Sequence, residues 1–293
     1  MSTGMSTGMK ETMAEVLAER GTQMSPGRMF AEAYATAGVH ARVEYDVTIT
    51  DSLTSSRRKR RYPARNMLKI VDLSRNPQRF YWHESPAQPG DPDLTEGGMR
   101  RELAHRFHRS PVPELLATRA WVQVPDDLAD DAEALELFIN YRLIARLGTA
   151  ENHTIIRGEG GLLNIEGIER MTSKGPFAST ILAACNAAEQ MGGTADGLIL
   201  NPADYYLFMG QGQLMADLER NGVFIVRTRL VDPGTAIAGD FGHGAMLFDS
   251  GRSVIRFAEP PPGIFATPGV ALMAEIHERV VVNLPTNFYV VTL

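Results

Sequence analysis

The stretch that decides the fold is WVQVPDDLADDAEALELFINYRLIARLGTAENHTIIRGEGGLLNIEGI, residues 121–168. Its apolar residues recur three and four positions apart, which is the spacing of one face of an α-helix. These residues are Leu128, Ala132, Leu135, Ile139, Leu143 and Leu147. We expect Asp126 or Asp127 to cap this helix, which continues to about Ile156. At 1.5 Å per residue, the pattern predicts a rod roughly 45 Å long.

A shorter helix is predicted near the N-terminus. Ser25 is its expected N-cap, Pro26 stands at the first helical position, and Gly38 follows its end. These three residue types are the usual ones at those positions. The preceding residues repeat MSTG twice, and we expect them to form a mobile arm.

Between the two helices the chain is predicted to be extended. Residues 43–49 alternate apolar and polar side chains, which indicates a half-solvated strand. The basic stretch TSSRRKRRYPARN (54–66) and the returning MLKIVDL (67–73) complete a long hairpin. Residues 84–98 are rich in Pro, Gly and Asp and are expected to form an exposed loop. Nothing in residues 40–115 is expected to belong to a compact core.

Beyond the long helix, the pattern alternates between helices and strands. After the glycine-rich turn RGEGG, the predicted elements are a helix over 178–191, a buried strand over 197–200, a helix from Pro202 to about Glu219, strands over 223–230, 245–248 and 253–257, a long strand over 270–282 and a final strand in FYVVTL. The chain therefore has enough regular structure for two substantial cores.

Composition excludes several classes of protein. The 293 residues are 44% hydrophobic and 22% charged, which is ordinary for a globular protein and excludes disordered and collagen-like chains. Cys185 is the single cysteine, so an internal disulfide and a cysteine-based zinc cage are both excluded. No apolar run approaches the ~20 residues that span a bilayer, and residues 1–21 have no apolar core of the kind that a secretory signal needs. We expect a soluble cytoplasmic protein without a membrane partner. The net charge of −6 does not suit a dedicated nucleic-acid binder.

Motifs that could carry catalysis or bind a cofactor are weak. The turn RGEGGLLN (157–164) lacks the order of a phosphate-binding loop and is better explained as structural. His277 and Glu278 begin a zinc-protease pattern, but Val281 stands where the second histidine belongs. His105 and His108 could share a helix face, although a basic surface is the simpler explanation. Cys185 is expected to be a buried structural thiol. We therefore predict no catalytic residue, no metal site and no cofactor.

The long helix, the protruding hairpin and the N-terminal arm share one property. None of them can bury its surface fully within one chain, and elements of this kind are typical of subunits in an assembly. A soluble α/β enzyme with an unrecognised site remains open as an alternative.

Four segments resemble one known family, that of tailed-phage major capsid proteins and encapsulins with the Hong Kong 97 fold. The first is residues 121–168, through WVQ, the acidic turn, FINYRL and Asn164-Ile165-Glu166-Gly167-Ile168. The others are GLILNPADYY (197–206), GDFGHGAMLFDSGRSVIRF (239–257) and EIHERVVVNLPTNF (275–288). Together they cover roughly residues 119–290, whereas residues 40–118 match only as an extended loop that reaches over a neighbour.

The resemblance implies an α+β Hong Kong 97-like capsid fold. Its implied parts are an N-terminal arm (1–40), an extended loop or E-loop with its return strands (41–118), a peripheral domain with the long spine helix (119–156), an axial domain (157–245) and closing strands of the peripheral domain (246–293). Such a chain would be a shell subunit rather than an enzyme.

Two functions within that family remain. An encapsulin is a self-assembling icosahedral nanocompartment that encloses cargo enzymes, and a phage or prophage capsid packages DNA. About 40 residues precede the first hairpin strand, whereas family members with fused scaffolding carry on the order of a hundred more. The resemblance therefore leaves an encapsulin or a phage capsid with separate scaffolding, and the short segment favours the encapsulin. The expected partners are other copies of the chain and a cargo protein, with nucleic acid only in a virus. The location would be the prokaryotic cytoplasm, or a virion for the alternative.

Contacts between subunits are predicted for two charged segments. A basic tip and the acidic start of the spine helix could meet across neighbouring subunits, although the tip could instead bind nucleic acid. The residues are Arg57, Arg58, Lys59, Arg60 and Arg61 in the tip, and Asp126, Asp127, Asp130, Asp131, Glu133 and Glu136 in the helix.

Some members of the family cross-link a loop lysine to an asparagine on the closing strand. Lys59 and Lys69 could supply the amine, but the asparagine position falls on Val270 and the assisting glutamate position on His277. Because a valine has no carboxamide to attack, the resemblance implies a shell without covalent cross-links.

Overall fold

The computed structural model describes residues 24–46, 64–84, 107–125, 128, 130–165, 168–173, 175–212, 214–261, 263 and 271–293. The chain divides into two compact units. The first unit contains the described parts of Met1–Arg61, Leu116–Glu151 and Asp249–Glu278. The second unit contains those of Tyr62–Leu115, Asn152–Phe248 and Arg279–Leu293.

The secondary structure is mixed, as expected for an α+β fold. The α-helices are α1 (Pro26–Ala37), α2 (Ala132–Phe138), α3 (Ile144–Arg157), α4 (Phe177–Gln190), α5 (Pro202–Gln211), α6 (Leu214–Arg220) and α7 (Phe241–Gly244). The strands are β1 (Arg42–Asp46), β2 (Lys69–Asp72), β3 (Phe80–Glu84), β4 (Phe107–Pro111), β5 (Leu116–Gln123), β6 (Glu169–Thr172), β7 (Gly197–Leu200), β8 (Phe224–Arg227), β9 (Thr235–Gly239), β10 (Ala245–Ala258), β11 (Ala271–Val282) and β12 (Phe288–Thr292). Short 3₁₀ turns lie at Gly38–His40, Ala64–Met67 and Pro285–Asn287.

The predicted long helix is present. Helices α2 and α3 are joined by a π-helical turn, Ile139–Leu143, and together form the spine helix, which ends at Arg157. The apolar stripe is confirmed at Leu135, Ile139, Leu143 and Leu147, which are completely buried. Leu128 is only partly buried, and Ala132 is exposed, so the stripe is wrong at Ala132.

The predicted cap of the spine helix is wrong. Asp131 is the N-cap of α2, and its carboxylate accepts hydrogen bonds from the backbone N–H groups of Glu133 and Ala134. The chain makes a separate turn just before this point, where the N–H of Asp131 bonds the carbonyl of Leu128. The stretch Asp126-Asp127 lies outside the described residues.

In the first unit, a sheet with the strand order β1–β10–β11–β5 is covered on one face by helices. The strand register determines which side chains share a face of the sheet. For example, Val43 lies opposite Ile255, and Ile276 lies opposite Thr118. As predicted, apolar and polar side chains alternate along β1, but Val43 and Tyr45 are buried in this core, which was not expected of residues 40–115. The core also contains Phe30 of α1 and the apolar stripe of the spine helix.

In the second unit, five strands form a mixed sheet in the order β6–β12–β9–β7–β8. Strand β7 is buried along its whole length, as predicted, since α4 packs near one face and a second apolar cluster covers the other. Leu198 belongs to the first of these clusters and Ile199 to the second, because successive side chains in a strand point to opposite faces.

Two predictions in this unit are wrong. Residues 40–115 do contribute to a core, because Ala64, Met67, Leu68 and Val71 are buried in it. The helix from Pro202 does not run to Glu219: α5 ends at Gln211 before Gly212, whose φ of 165° and ψ of −162° are extended.

The late strands also differ from the prediction. Residues 245–258 form one strand, β10, where two were expected. Asp249 accepts a hydrogen bond from the N–H of Gly251, and Gly251 adopts a positive φ of 71°, so the pairing continues through a residue that the pattern marks as a break.

Candidate inter-subunit surfaces

The predicted charged contact is described only in part. Arg57, Arg58, Lys59, Arg60, Arg61, Asp126 and Asp127 lie outside the described residues. Asp130, Asp131 and Glu133 are exposed at the start of the spine helix. Two of the acids already have roles within the chain: Asp131 caps α2, and Glu136 is half-buried and accepts a hydrogen bond from Ser25.

The start of α1 is locked onto the spine helix by a small polar cluster. The Ser25 hydroxyl donates to Glu136 at 2.8 Å and accepts from the Asn140 amide at 3.1 Å. The Asn140 carbonyl oxygen accepts from the N–H of Gly27 at 2.9 Å. Ser25 also caps α1 as predicted, by accepting from the N–H of Arg28. We call Ser25, Gly27, Glu136 and Asn140 the α1 junction.

Only glycine fits at position 27. A Cβ atom there would overlap the Glu136 carbonyl oxygen and lie 2.8 Å from the Asn140 amide group. Asn140 belongs to the π-helical turn, where one extra residue widens the helix, and turns of this kind recur at functional positions. The sequence offered one signal, a polar residue at position 140 between the buried Ile139 and Leu143, which the pattern analysis did not single out.

Strands β3 and β4 form a two-stranded antiparallel ribbon with two different faces. On one face Tyr81 packs against Phe248, with ring centroids 5.8 Å apart. The other face carries Phe80, Trp82 and Phe107, which are 46–62% exposed. Arg109 lies over the Phe80 ring, 3.9 Å from its centroid. This aromatic face was not predicted from the sequence, although side chains that alternate along FYWHE (80–84) and FHRSP (107–111) are a strand signal.

A second exposed apolar cluster lies on α5. Tyr206, Leu207 and Met209 are 53–61% exposed, while Phe208 between them is buried. The guanidinium of Arg227 lies 4.5 Å from the centroid of the Tyr205 ring, which holds this side of the helix in place. The Asn201-Pro202 start of the helix was predicted, and Asn201 caps it by accepting from the N–H of Ala203.

The glycine-rich turn after the spine helix closes on itself. The Asn164 amide donates to the carbonyl oxygens of Arg157 and Gly158, at 2.9 and 3.1 Å. Arg279 forms an ion pair with Glu159 at 3.1 Å. These bonds are those of a structural turn rather than of a phosphate cradle.

The remaining candidates for chemistry do not converge. The suggested helix that would bring His105 and His108 to one face is wrong at His108, which lies in strand β4. His105 lies outside the described residues. Burial raises the pKa of the Cys185 thiol to about 11, which keeps it protonated and unreactive. His277 and Arg119 both pair with Glu275 on the sheet of the first unit. Val270 lies outside the described residues. Among the described residues, no three His, Cys, Asp or Glu side chains are grouped closely enough to hold a metal ion.

Similarity to known proteins agrees with the architecture. The chain is 26% identical over 176 residues to the major capsid protein of Enterobacteria phage HK97, a match that covers 53% of this chain and 46% of the phage protein. The chain thus spans about half the length of that relative. No protein-family model matches the chain. Among its described helices, none is long and apolar enough to cross a membrane.

Solved structures share the fold over most of the chain. A virus-like particle from Pyrococcus furiosus matches with a TM-score of 0.53 at 16% identity, covering 79% of this chain and 92% of that one. The capsid of a native GTA particle matches with a TM-score of 0.51 at 14% identity, covering 79% and 89%. The fold is therefore the Hong Kong 97 fold.

Proposed function

We propose that this chain is the self-assembling shell protein of an icosahedral, encapsulin-type nanocompartment that encloses a cargo protein. The observation that carries the shell function is the Hong Kong 97 fold itself, with its spine helix and its exposed ribbon. The matched structures are particles built of many subunits, a virus-like particle and a capsid. The proposal assigns the chain no catalytic residue and no cofactor.

The interior is proposed to hold protein rather than DNA. The chain has a net charge of −6, which does not suit a dedicated nucleic-acid binder. The location would then be the prokaryotic cytoplasm. The phage-capsid alternative is supported by the match to the phage HK97 protein, and in that case the assembled location is a virion.

The experiment that separates the two is a nuclease-protection assay on purified particles. Particles from the native host are treated with nuclease, opened with denaturant and analysed for nucleic acid and for co-purifying protein. A stoichiometric second protein without long protected DNA supports the nanocompartment. Protected double-stranded DNA of uniform length contradicts it and supports the phage capsid.

The proposal also assigns positions in the shell to the two domains and to the basic tip, and it predicts no covalent cross-links. The peripheral domain would hold the spine helix and the axial domain (157–245) would surround a symmetry axis. The basic tip, Arg57–Arg61, would dock on the acidic start of the spine helix of a neighbour, between Asp126 and Glu136. Because no asparagine is available at Val270, boiled particles would run as one band near 32 kDa.

A further inference from the structure

Two aspartates bind one short turn of the second unit. The turn is α7, which joins strands β9 and β10. Asp240 is its N-cap, and the Asp240 carboxylate accepts from the N–H of His243 at 3.0 Å. Asp196, which directly precedes β7, accepts from the N–H groups of Phe241 and Gly242 at 2.7 and 2.9 Å. Two carboxylates therefore bind three consecutive N–H groups of the same turn.

Asp240 also ties this turn to two other connections of the unit. Its second carboxylate oxygen accepts from the N–H of Thr194, in the connection between α4 and β7, at 3.0 Å. Its backbone N–H donates to the carbonyl oxygen of Asn287, in the connection between β11 and β12, at 3.2 Å. We call α7 together with Thr194, Asp196 and Asp240 the α7 junction. Opening this junction would release three connections at once.

The α7 junction concentrates negative charge where water is scarce. Asp240 is only 3% exposed, and Asp196 is partly buried. The His243 ring can offset part of this charge, because its Nδ1 atom lies 3.1 Å from the Asp240 carboxylate, but the His243 side chain is 79% exposed. Water and salt screen an exposed cation more strongly than a buried charge. The two carboxylates therefore repel each other with partial compensation.

Other charged groups on the elements around α7 are exposed or engaged elsewhere. On β2, Lys69 is exposed, and Asp72 accepts hydrogen bonds within its own turn. Glu84 accepts a hydrogen bond from the connection between β11 and β12. Glu189, near the end of α4, is exposed, and Arg227 of β8 stacks on a tyrosine of α5. The two carboxylates of the junction and the nearby imidazole therefore act chiefly on one another.

Burial and the neighbouring charge both favour a proton on this pair. Desolvation is the largest cause that raises the pKa of Asp196, and the charge of Asp240 adds to it, against the two N–H donors and His243. When the junction opens, Asp196 enters water and regains the ordinary aspartate pKa of 3.8. Because the closed junction binds a proton more tightly than the open one, closing becomes more favourable as the pH falls through the raised pKa toward 3.8.

We propose that the α7 junction is a proton-operated clamp, which tightens when the Asp196–Asp240 pair takes up a proton from mildly acidic solution. With both acids ionised, like charges repel at one turn and the junction opens more readily. With one proton bound, the repulsion is removed, while the carbonyl oxygen of the protonated acid and the remaining carboxylate still accept from the turn. This regulation goes beyond the shell function and does not depend on it.

Hydrogen exchange followed by mass spectrometry tests the clamp on the full chain. Exchange is measured from about pH 8 down to about pH 4.5, and the rate of an unstructured chain at each pH is divided by the measured rate to give a protection factor. We expect protection of peptides that contain residues 194–197 and 240–244 to rise at least about threefold as the pH falls. Protection that stays constant, or that falls with the pH, overturns the proposal.

Three variants identify the group that takes up the proton. Asp196→Asn is uncharged at every pH, so its junction should show constant protection, whereas Asp217→Asn, at a half-exposed position on α6, should keep the rise. His243→Gln removes the other titrating group, and the rise should persist in it. A rise that survives in Asp196→Asn, or that disappears in His243→Gln, overturns the proposal. Circular dichroism checks folding, and if Asp196→Asn is unfolded, the parent and His243→Gln series still decide.

Discussion

The α1 junction and the outer face of the β3–β4 ribbon differ in where their side chains find contacts. At the junction, Ser25, Gly27 and Asn140 bond one another inside a single chain, and the apolar side chains beside them are buried. On the ribbon, Phe80, Trp82 and Phe107 face away from the core of their own chain. The first region is satisfied within one copy, whereas the second leaves three large apolar side chains exposed. Substitutions should therefore separate stability of the chain from assembly of the shell.

The largest effect is expected at Gly27. Gly27→Ala places a Cβ against the Glu136 carbonyl oxygen and should lower the free energy of unfolding by about 3 kcal/mol, because a closely packed helix pair has no room to move apart. Urea titration followed by circular dichroism measures the loss.

The control for this change is Gly210→Ala. A Cβ at Gly210 meets nothing within 4 Å, so the same substitution should leave stability unchanged or raise it by up to ~1 kcal/mol through helix propensity. If both alanines have the same effect, close packing at the α1 junction is not what selects glycine at position 27.

The next effect is expected at Asn140. Asn140→Ala removes the acceptor of the Gly27 N–H and one donor to Ser25, and an unsatisfied buried N–H costs about 2 kcal/mol. The midpoint temperature of thermal unfolding should fall by several degrees, and the shell geometry should be retained at low temperature. Asn221→Ala, which removes a bond on the exposed end of α6, should shift it far less.

A smaller effect is expected at the cap of the spine helix. Asp131→Ala removes the acceptor for two backbone N–H groups and should cost about 1 kcal/mol of stability. Asp130→Ala provides the comparison, because Asp130 is the adjacent aspartate and does not cap the helix. Equal unfolding midpoints for the two variants would contradict the assignment of Asp131 as the cap.

The smallest effect per contact is expected at the basic tip, and it concerns assembly only. Replacing Arg57, Arg58, Arg60 and Arg61 with Ser should lower the salt concentration at which shells dissociate, since each exposed ion pair contributes only ~0–1 kcal/mol. Light scattering during a salt titration measures this. Unchanged salt tolerance together with loss of co-purifying nucleic acid would instead assign the tip to nucleic-acid binding.

Local patterns were enough to predict much of the fold. The spacing of Leu135, Ile139, Leu143 and Leu147 predicted the spine helix, and the Asn201-Pro202 pair predicted the start of α5. These signals come from residues within about three helical turns of one another and depend on the local backbone. The Hong Kong 97 fold was predicted from four segments that resemble capsid proteins, and the structural likeness confirms it.

What the sequence did not predict depends on residues far apart in the chain. Asn140 looks like an interruption of an apolar stripe until Ser25 and Gly27 are placed against it, more than a hundred residues away. Either Asp126 or Asp131 could cap the spine helix by residue type. Asp131 is the cap because the chain makes a separate turn between Leu128 and Asp131, just before the helix begins. The ribbon face was missed because β3 and β4 pair across residues 85–106, beyond the reach of any hairpin signal.

The proposed shell function requires that copies of this chain alone form a closed particle. Electron microscopy of the purified chain in native buffer, together with the particle mass from light scattering, tests this requirement. We expect uniform, closed, icosahedral particles of several megadaltons without any added cofactor. Monomers or dimers alone, at concentrations where the chain is folded, would contradict it.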